Sequence, residues 1–343
     1  MINLKHLTIK PTGYCDHNCP FCISRKQILN SRNNEISIAE WKIVLREAKD
    51  IGAFYLTISG GEPTHYKKLP ELVSEAKKLG FFVSLNTNGR FLNKNLLSRM
   101  KKIGLDQIKL SLYSTNEKEH DRIRGKRGSF KYANAAAILI GKSKIKLVIH
   151  IVINKHNYTR LPDFIAYSFN VGASSLSLNY PENDYKKRYL LLGKKDLRIF
   201  KEKVLPQAIR EYHNYKKQNK IILDSKSLLC LRNFYSDKKG VERKFYDGLY
   251  WDKKTIHRKC NRPDIFLLVY PNGDVFPCNG SEYTHEPIVG NVLKQSVSSI
   301  WVGEKMKEYR KNRMDFCKYC PMMLHAGVSI ITTNNLRYTS PIK

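Results

Sequence analysis

The run Cys15-Asp16-His17-Asn18-Cys19-Pro20-Phe21-Cys22 places three thiols within eight residues. Three is an odd number for disulfides and one short of the four that close a structural zinc site. Three thiolates do suffice to bind three irons of a four-iron cubane and leave the fourth open to a ligand. A zinc or purely structural role for the triplet is the alternative reading.

Other residues add to this. Ser59-Gly60-Gly61-Glu62-Pro63 joins two glycines, which let backbone approach a ligand closely, to a carboxylate that can accept hydrogen bonds from an ammonium group; a simple turn is the alternative. Arg124, in His120-Asp121-Arg122-Ile123-Arg124-Gly125, has a side chain that forks well onto a carboxylate. Asn88 and Asn154 could contact a ligand or serve as turn residues. Cys260, Cys278, Cys317 and Cys320 form a second set of four thiols, enough to saturate a cluster or a zinc ion, and spacing alone does not separate the metals. Cys230, among Leu228, Leu229 and Leu231, reads either as an inert core residue or as a hydrogen-atom donor to a substrate radical.

Something must hold these groups together. Short apolar, β-branched runs alternate with helical patterns, the sequence form of βα units around a parallel sheet. Strands are expected near residues 6–10, 54–59, 82–87, 107–113, 146–153 and 174–178. Helices are expected over 38–50, 70–79, 95–102, 130–140 and 161–170, with Gly52, Gly80, Gly104, Gly141 and Gly172 at their ends. Six such units give an α/β fold, a partial (β/α)6 TIM-like barrel over residues 1–180, whose catalytic groups belong at the C-terminal strand ends. Residues 181–255 read as a linker with a long charged helix, 194–217, and an irregular stretch. Residues 256–325 read as a small auxiliary unit with a hairpin turning at Asn272-Gly273 and a helix over 296–312, and 326–343 as a tail.

The 343 residues carry a formal net charge of +31, with Lys and Arg spread along the chain. Such a field attracts phosphates, carboxylates and acidic proteins alike. No nucleic-acid motif accompanies it, so a Lys-rich solvated surface is the preferred reading and an acidic electron carrier, flavodoxin or ferredoxin, suits the same field. No apolar run reaches the length of a membrane span and no signal peptide is evident, so a cytoplasmic, reducing location is expected, where metal ligation outranks disulfides.

The Cys15/Cys19/Cys22 spacing with Phe21 before the last thiol, the Gly60–Pro63 segment one βα unit later, and Ser111 and Arg124 after the fourth strand together resemble the radical S-adenosylmethionine (SAM) enzymes. The resemblance implies that Cys15, Cys19 and Cys22 bind a [4Fe–4S] cluster whose open iron takes the amino and carboxylate groups of SAM. It implies further that Gly60, Gly61, Glu62 and Pro63 hold the methionine amino group and that Ser111 and Arg124 contact the SAM carboxylate and ribose. Asn88 and Asn154 become SAM or substrate contacts. The chain departs from the family in having Leu112-Tyr113-Ser114 where many relatives have an Asp-Gly pair. The second Cys set resembles the auxiliary domain called twitch, a shorter form of SPASM, and implies a second, auxiliary [4Fe–4S] cluster with no open iron.

What this implies for the reaction is a 5′-deoxyadenosyl radical that removes a hydrogen atom from a substrate C–H bond. Oxidation, epimerisation through a donor such as Cys230, or a cross-link within a peptide would follow from the fate of that radical. The first expectation is a small-molecule oxidase or epimerase acting on a polar sugar- or aminocyclitol-like substrate, an anionic one included, because the cluster loop begins at Cys15 with no peptide-recognition domain before it. The alternative is a peptide-modifying maturase. An RNA-binding or RNA-modifying protein ranks below both.

Overall fold

The computed structural model describes residues 3–31, 35–180, 189–218, 223–224, 228, 261–279 and 287–313. Cys230, Cys260, Cys317, Cys320, the irregular stretch from 229 to 255 and the tail lie outside the described residues.

Six parallel strands, β1 (His6–Ile9), β2 (Tyr55–Ile58), β3 (Phe82–Thr87), β4 (Gln107–Ser111), β5 (Lys146–Val152) and β6 (Ser175–Asn179), pair in chain order. Helices fill the crossovers: α1 (Arg25–Asn30), α2 (Ile38–Asp50), α3 (Leu69–Lys78), α4 (Lys94–Ile103), α5 (Glu117–Arg124), α6 (Ser129–Gly141) and α7 (Leu161–Asn170). The strands are short because only a few residues of each cross the core, and β4 and β6 alternate strictly between the two faces. On β4, Ile108 and Leu110 are buried against the helices while Gln107, Lys109 and Ser111 are partly exposed on the other, inner face. The partial barrel therefore has an apolar outer layer under its helices and a polar lumen.

Local signals fix the helix ends. A capping box between Ser37 and Glu40 starts α2, with Ser37 N donating to Glu40 Oε2 at 2.5 Å and Glu40 N to Ser37 Oγ at 3.2 Å. Asn93 caps α4 and Asn116 caps α5 in the same sense. The charged helix expected over 194–217 is α8 (Lys194–Ile199) and α9 (Leu205–Gln218), joined by a π-helical segment, Phe200–Val204, and α9 packs on α7.

The auxiliary region does not stand apart from the barrel sheet. Its first strand, β7 (Phe266–Val269), pairs in parallel with β1, His6 opposite Phe266 and Ile9 opposite Val269. The expected hairpin then forms, β7 with β8 (Asp274–Phe276), and β9 (Gly290–Asn291) completes one nine-stranded sheet. The physical reason is plain: β1 pairs with β2 on one edge only, and Phe266-Leu267-Leu268-Val269, fully buried, fits the other. Helices α10 (Val297–Val302) and α11 (Glu304–Lys311) divide the expected single helix at Gly303. Glu47 on α2 accepts the Val297 N–H at 2.7 Å, which fastens the unit to the barrel.

Candidate active site

The cluster loop follows β1 and is held by groups arriving from the next three strands. After β2, the alpha carbon of Gly61 sits so close to the loop that a Cβ there would lie 1.9 Å from the Tyr14 carbonyl oxygen. Gly61 N donates to Thr12 O at 3.0 Å and Glu62 N to Tyr14 O at 2.6 Å. The two glycines thus admit the backbone of residues 12–14, the stretch leading into the thiols. Pro63, buried, opens a short 3-10 turn that Glu62 caps.

Glu62 is 1% exposed and its carboxylate is heavily committed. Oε1 accepts from Thr64 N at 3.0 Å, Thr64 Oγ1 at 2.5 Å and Thr87 Oγ1 at 2.6 Å, and Oε2 accepts from Asn88 N at 2.7 Å. It welds the ends of β2 and β3 together, and Oε2 retains room for one further donor.

After β3, Asn88 reaches the loop itself. Its Nδ2 lies 3.1 Å from Asp16 Oδ1 and 2.8 Å from His17 Nδ1, two atoms themselves 3.0 Å apart. Arg90 adds an ion pair to Asp16 at 3.2 Å. Burial alone would raise Asp16, but the His17, Asn88 and Arg90 contacts outweigh it and hold the carboxyl at about 2. Cys15 Sγ lies within 4.8 Å of ligand atoms of Asp16 and His17, a donor set one cation could use. Asp16 and His17 are instead tied to Asn88 and Arg90 and act as fasteners of the loop. Burial, assisted by Glu62 and Cys19, pushes the half-buried Cys15 thiol up to about 12, so it ionises only with a cation to bind, as metal ligation requires.

The fourth strand brings Ser111, Tyr113 and α5. Ser111 faces the lumen beside the Tyr113 hydroxyl. The Tyr113 ring meets Phe21 of the loop edge to face at 4.9 Å and carries the Arg124 guanidinium at 4.9 Å on its face. Leu112-Tyr113-Ser114 therefore builds a wall: Ser114 bonds Glu119 Oε2 at 2.8 Å and the Asn116 N–H at 3.0 Å, which starts α5 and aims Arg124 inward. Gly125 ends α5 with φ 59°, and a Cβ there would lie 2.6 Å from Asn18 O, so the loop rests on it.

Arg124 is 6% exposed, its Nε is without a partner, and no carboxylate among the described residues pairs with it. Burial works against its charge, while the Cys19 and Cys15 thiols, Tyr113 and Glu62 favour it. A buried guanidinium beside thiols, with an acceptor still to find, fits a cluster whose ligand carries a carboxylate.

Asn154 lies in the turn after β5, the second of its two expected roles. It is fully buried, its Nδ2 donates to Val152 O at 3.1 Å and its Oδ1 accepts from His156 N at 2.9 Å, so the turn after β5 consumes it. Of the second thiol set, Cys278 is described: it is buried after β8 among Ile28, Phe266, Leu268, Tyr270, Phe276 and Tyr309, with Tyr309 OH 3.3 Å from Sγ. Lys10, at the end of β1, links the two regions by donating to Ser24 Oγ at 2.6 Å and Tyr270 OH at 3.0 Å.

Sequence reading missed the Asp16, His17, Asn88 and Arg90 fastening and the role of Tyr113. The Asx-type turn at Asn88-Gly89 was its only local trace.

Comparison with known proteins agrees with this geometry. Residues 9–167 match the Radical SAM superfamily, and residues 260–321 match SPASM, an iron-sulfur cluster-binding domain. PqqA peptide cyclase of Gluconobacter oxydans is 27% identical over 293 residues, covering 84% of this chain and 74% of that protein. PqqA peptide cyclase of Xanthomonas euvesicatoria is 26% identical over 313 residues, covering 90% and 78%. Among solved structures, Streptococcus suis SuiB bound to precursor peptide SuiA has a TM-score of 0.67 at 18% identity, with 90% of this chain covered. This chain spans 66% of that SuiB chain, just under two thirds. The anSMEcpe structure with bound AdoMet and Cp18Cys peptide has a TM-score of 0.64 at 20% identity, covering 94% of this chain and 87% of that one. At these identities the structures speak for the shared α/β partial-barrel fold. The two matched domains imply a SAM-bound [4Fe–4S] cluster and an auxiliary iron–sulfur site. The chain thus carries a radical SAM domain over residues 9–167 and a SPASM iron-sulfur cluster-binding domain over residues 260–321.

Proposed function

We propose that the chain is a peptide-modifying radical SAM enzyme that forms a bond within a peptide substrate. The observation that carries the radical step is Arg124, buried and unpaired beside the Cys15–Cys22 loop. Likeness to the PqqA peptide cyclases over most of the chain supports a peptide substrate better than the sugar-like small molecule first expected.

Bound to Cys15, Cys19 and Cys22, the cluster with SAM supplies a 5′-deoxyadenosyl radical that removes a hydrogen atom from a substrate C–H bond. The protein's part is positioning. Gly60–Pro63 and Asn88 fix the thiol loop, Glu62 Oε2 offers its remaining acceptor position to the SAM amino group, and Arg124 with Ser111 receives the SAM carboxylate. Phe21 and Tyr113 wall the site from water. Bond formation within the peptide releases a second hydrogen as a proton and an electron; Cys260, Cys278, Cys317 and Cys320 would hold the auxiliary iron–sulfur site, which would supply the acceptor for that electron. Cys230 retains the role of hydrogen donor only if the product is an epimer. An acidic flavodoxin or ferredoxin supplies the first electron.

The test is anaerobic reconstitution with iron and sulfide, then SAM, dithionite and short peptides encoded beside the gene. Formation of 5′-deoxyadenosine, absent from a Cys15→Ala, Cys19→Ala, Cys22→Ala variant, together with a peptide lighter by two hydrogens is the expected result. Turnover of SAM with no change in any peptide would return the small-molecule reading to first place.

A further inference from the structure

The radical chemistry leaves one charged group of the barrel unused. Lys109 sits in the middle of β4 on the lumen face, between Gln107 and Ser111, while Ile108 and Leu110 turn outward to the helices. No hydrogen bond or ion pair involves its ammonium group among the described residues. Burial and then the like charge of Arg262 bring Lys109 down to about 8, and no carboxylate contributes in the other direction. It is partly exposed to the lumen, with no counter-charge set against it among the described residues.

Its surroundings are those of a recognition site. The register sets Asn86 of β3 directly opposite Lys109, and Asn86 Oδ1 is buried with no partner. One step toward the catalytic end, Ser111 lies opposite His150 of β5, whose Nδ1 is 3.3 Å from Ser177 Oγ of β6. Burial, then Lys109 itself, hold His150 well below its ordinary value, so its ring is neutral and offers one N–H. Tyr113, which touches both Phe21 of the thiol loop and Arg124, has its ring 6.4 Å from that of His150. The lumen thus offers a cation and neutral hydrogen-bonding groups, in a line that ends at the residues around the thiols.

We infer that Lys109, with Asn86 and His150, forms a carboxylate-binding subsite in the barrel lumen that takes an acidic side chain of the peptide substrate. The assignment rests on the peptide-modifying reading. Arg124 and Lys109 divide the anions between them, Arg124 at the strand ends beside the thiols and Lys109 one layer deeper, beneath Ser111. A carboxylate seated on Lys109 supplies the missing counter-charge and presents the methylene groups next to it toward the thiol loop. Lys109 touches substrate but takes no part in bond breaking; it decides which side chain is accepted.

The experiment is calorimetric titration of the anaerobically reconstituted full chain, loaded with SAM, with N-acetyl-glutamate amide and its neutral isostere N-acetyl-glutamine amide. Wild type and Lys109→Arg are expected to bind the acid and discriminate against the amide, and Lys109→Gln to lose ~10- to 100-fold in affinity for the acid, the size of a charged hydrogen bond. An unchanged thermal midpoint in Lys109→Arg guards against misfolding. Equal binding of acid and amide by wild type, or an unaltered acid affinity in Lys109→Gln, would overturn the subsite. So would a matching loss of SAM affinity in Lys109→Gln, which would give Lys109 to the cofactor's carboxylate. If the peptide reading alone is wrong, acid binding and its dependence on Lys109 persist while no peptide is modified.

Discussion

Arg124 shows most directly how a single residue is kept for a ligand rather than for the fold. A buried guanidinium without a counter-ion costs stability, since neither desolvation nor its spare N–H groups are compensated by the cation–π contact with Tyr113. Arg124→Met preserves volume and the Tyr113 contact while removing the charge. Such a variant of the apo-protein is expected to melt ~2 °C or more above wild type, and the reconstituted variant to bind SAM ~10- to 100-fold more weakly. Equilibrium dialysis against SAM together with thermal denaturation reads both. A variant that melts lower and binds SAM normally would make Arg124 a structural residue. The sequence disclosed the thiols and Arg124 because residue type and spacing are local properties. It disclosed nothing of Lys109 or His150, because their meaning depends on which strand face they occupy and on there being no carboxylate set against Lys109 among the described residues.

At the scale of elements, the site is a loop clamped by the ends of neighbouring strands, and two of its clamps are glycines. Gly61 is the tighter: a methyl group at that position would lie 1.9 Å from Tyr14 O, so the β2 end and the loop could not both keep their places. Gly61→Ala is expected to cost more than ~3 kcal/mol, comparable with severe overpacking, and to lower iron bound at the first site. Denaturant titration and iron analysis would measure it. A fully iron-loaded, wild-type-stable Gly61→Ala protein would show that the loop has another seat. Strand and helix positions were legible here because the parallel strands are short runs rich in apolar residues bounded by turn signals and most helices have amphipathic faces. Helix α5 was not, since Glu-Lys-Glu-His-Asp-Arg-Ile-Arg has almost no apolar face and is held by Asn116, by Asp121 bonding Gly128 and Phe130, and by Gly125 against the loop. The clamps were hidden for the same reason: Asn88 and Asp16 meet across 72 residues.

For the whole molecule, the pairing of β7 with β1 matters most, because it makes the region after residue 260 an extension of the barrel sheet. Sequence reading found the hairpin but not its partner, which lies 260 residues earlier, His6 opposite Phe266, and is selected by burial on both faces. The same packing brings Lys10 and Tyr270 within 3.0 Å, so the loop that holds the first cluster and the strand leading to Cys278 are joined through few intervening atoms. What reaches this assembly from outside is governed by its field. With a net charge of +31, association with an acidic electron carrier is steered by long-range attraction, which a Debye length of ~30 Å at 0.01 M salt permits and ~3 Å at 1 M removes. Reduction of the reconstituted enzyme by a reduced flavodoxin is therefore expected to slow ~10-fold or more between 0.02 and 0.5 M potassium chloride, concentrations chosen to span about a threefold or greater change in screening length, while reduction by dithionite changes little. Stopped-flow absorbance under nitrogen measures both rates. Equal salt dependence for the two reductants would mean that the charge serves solubility alone and that the electron donor docks by other contacts.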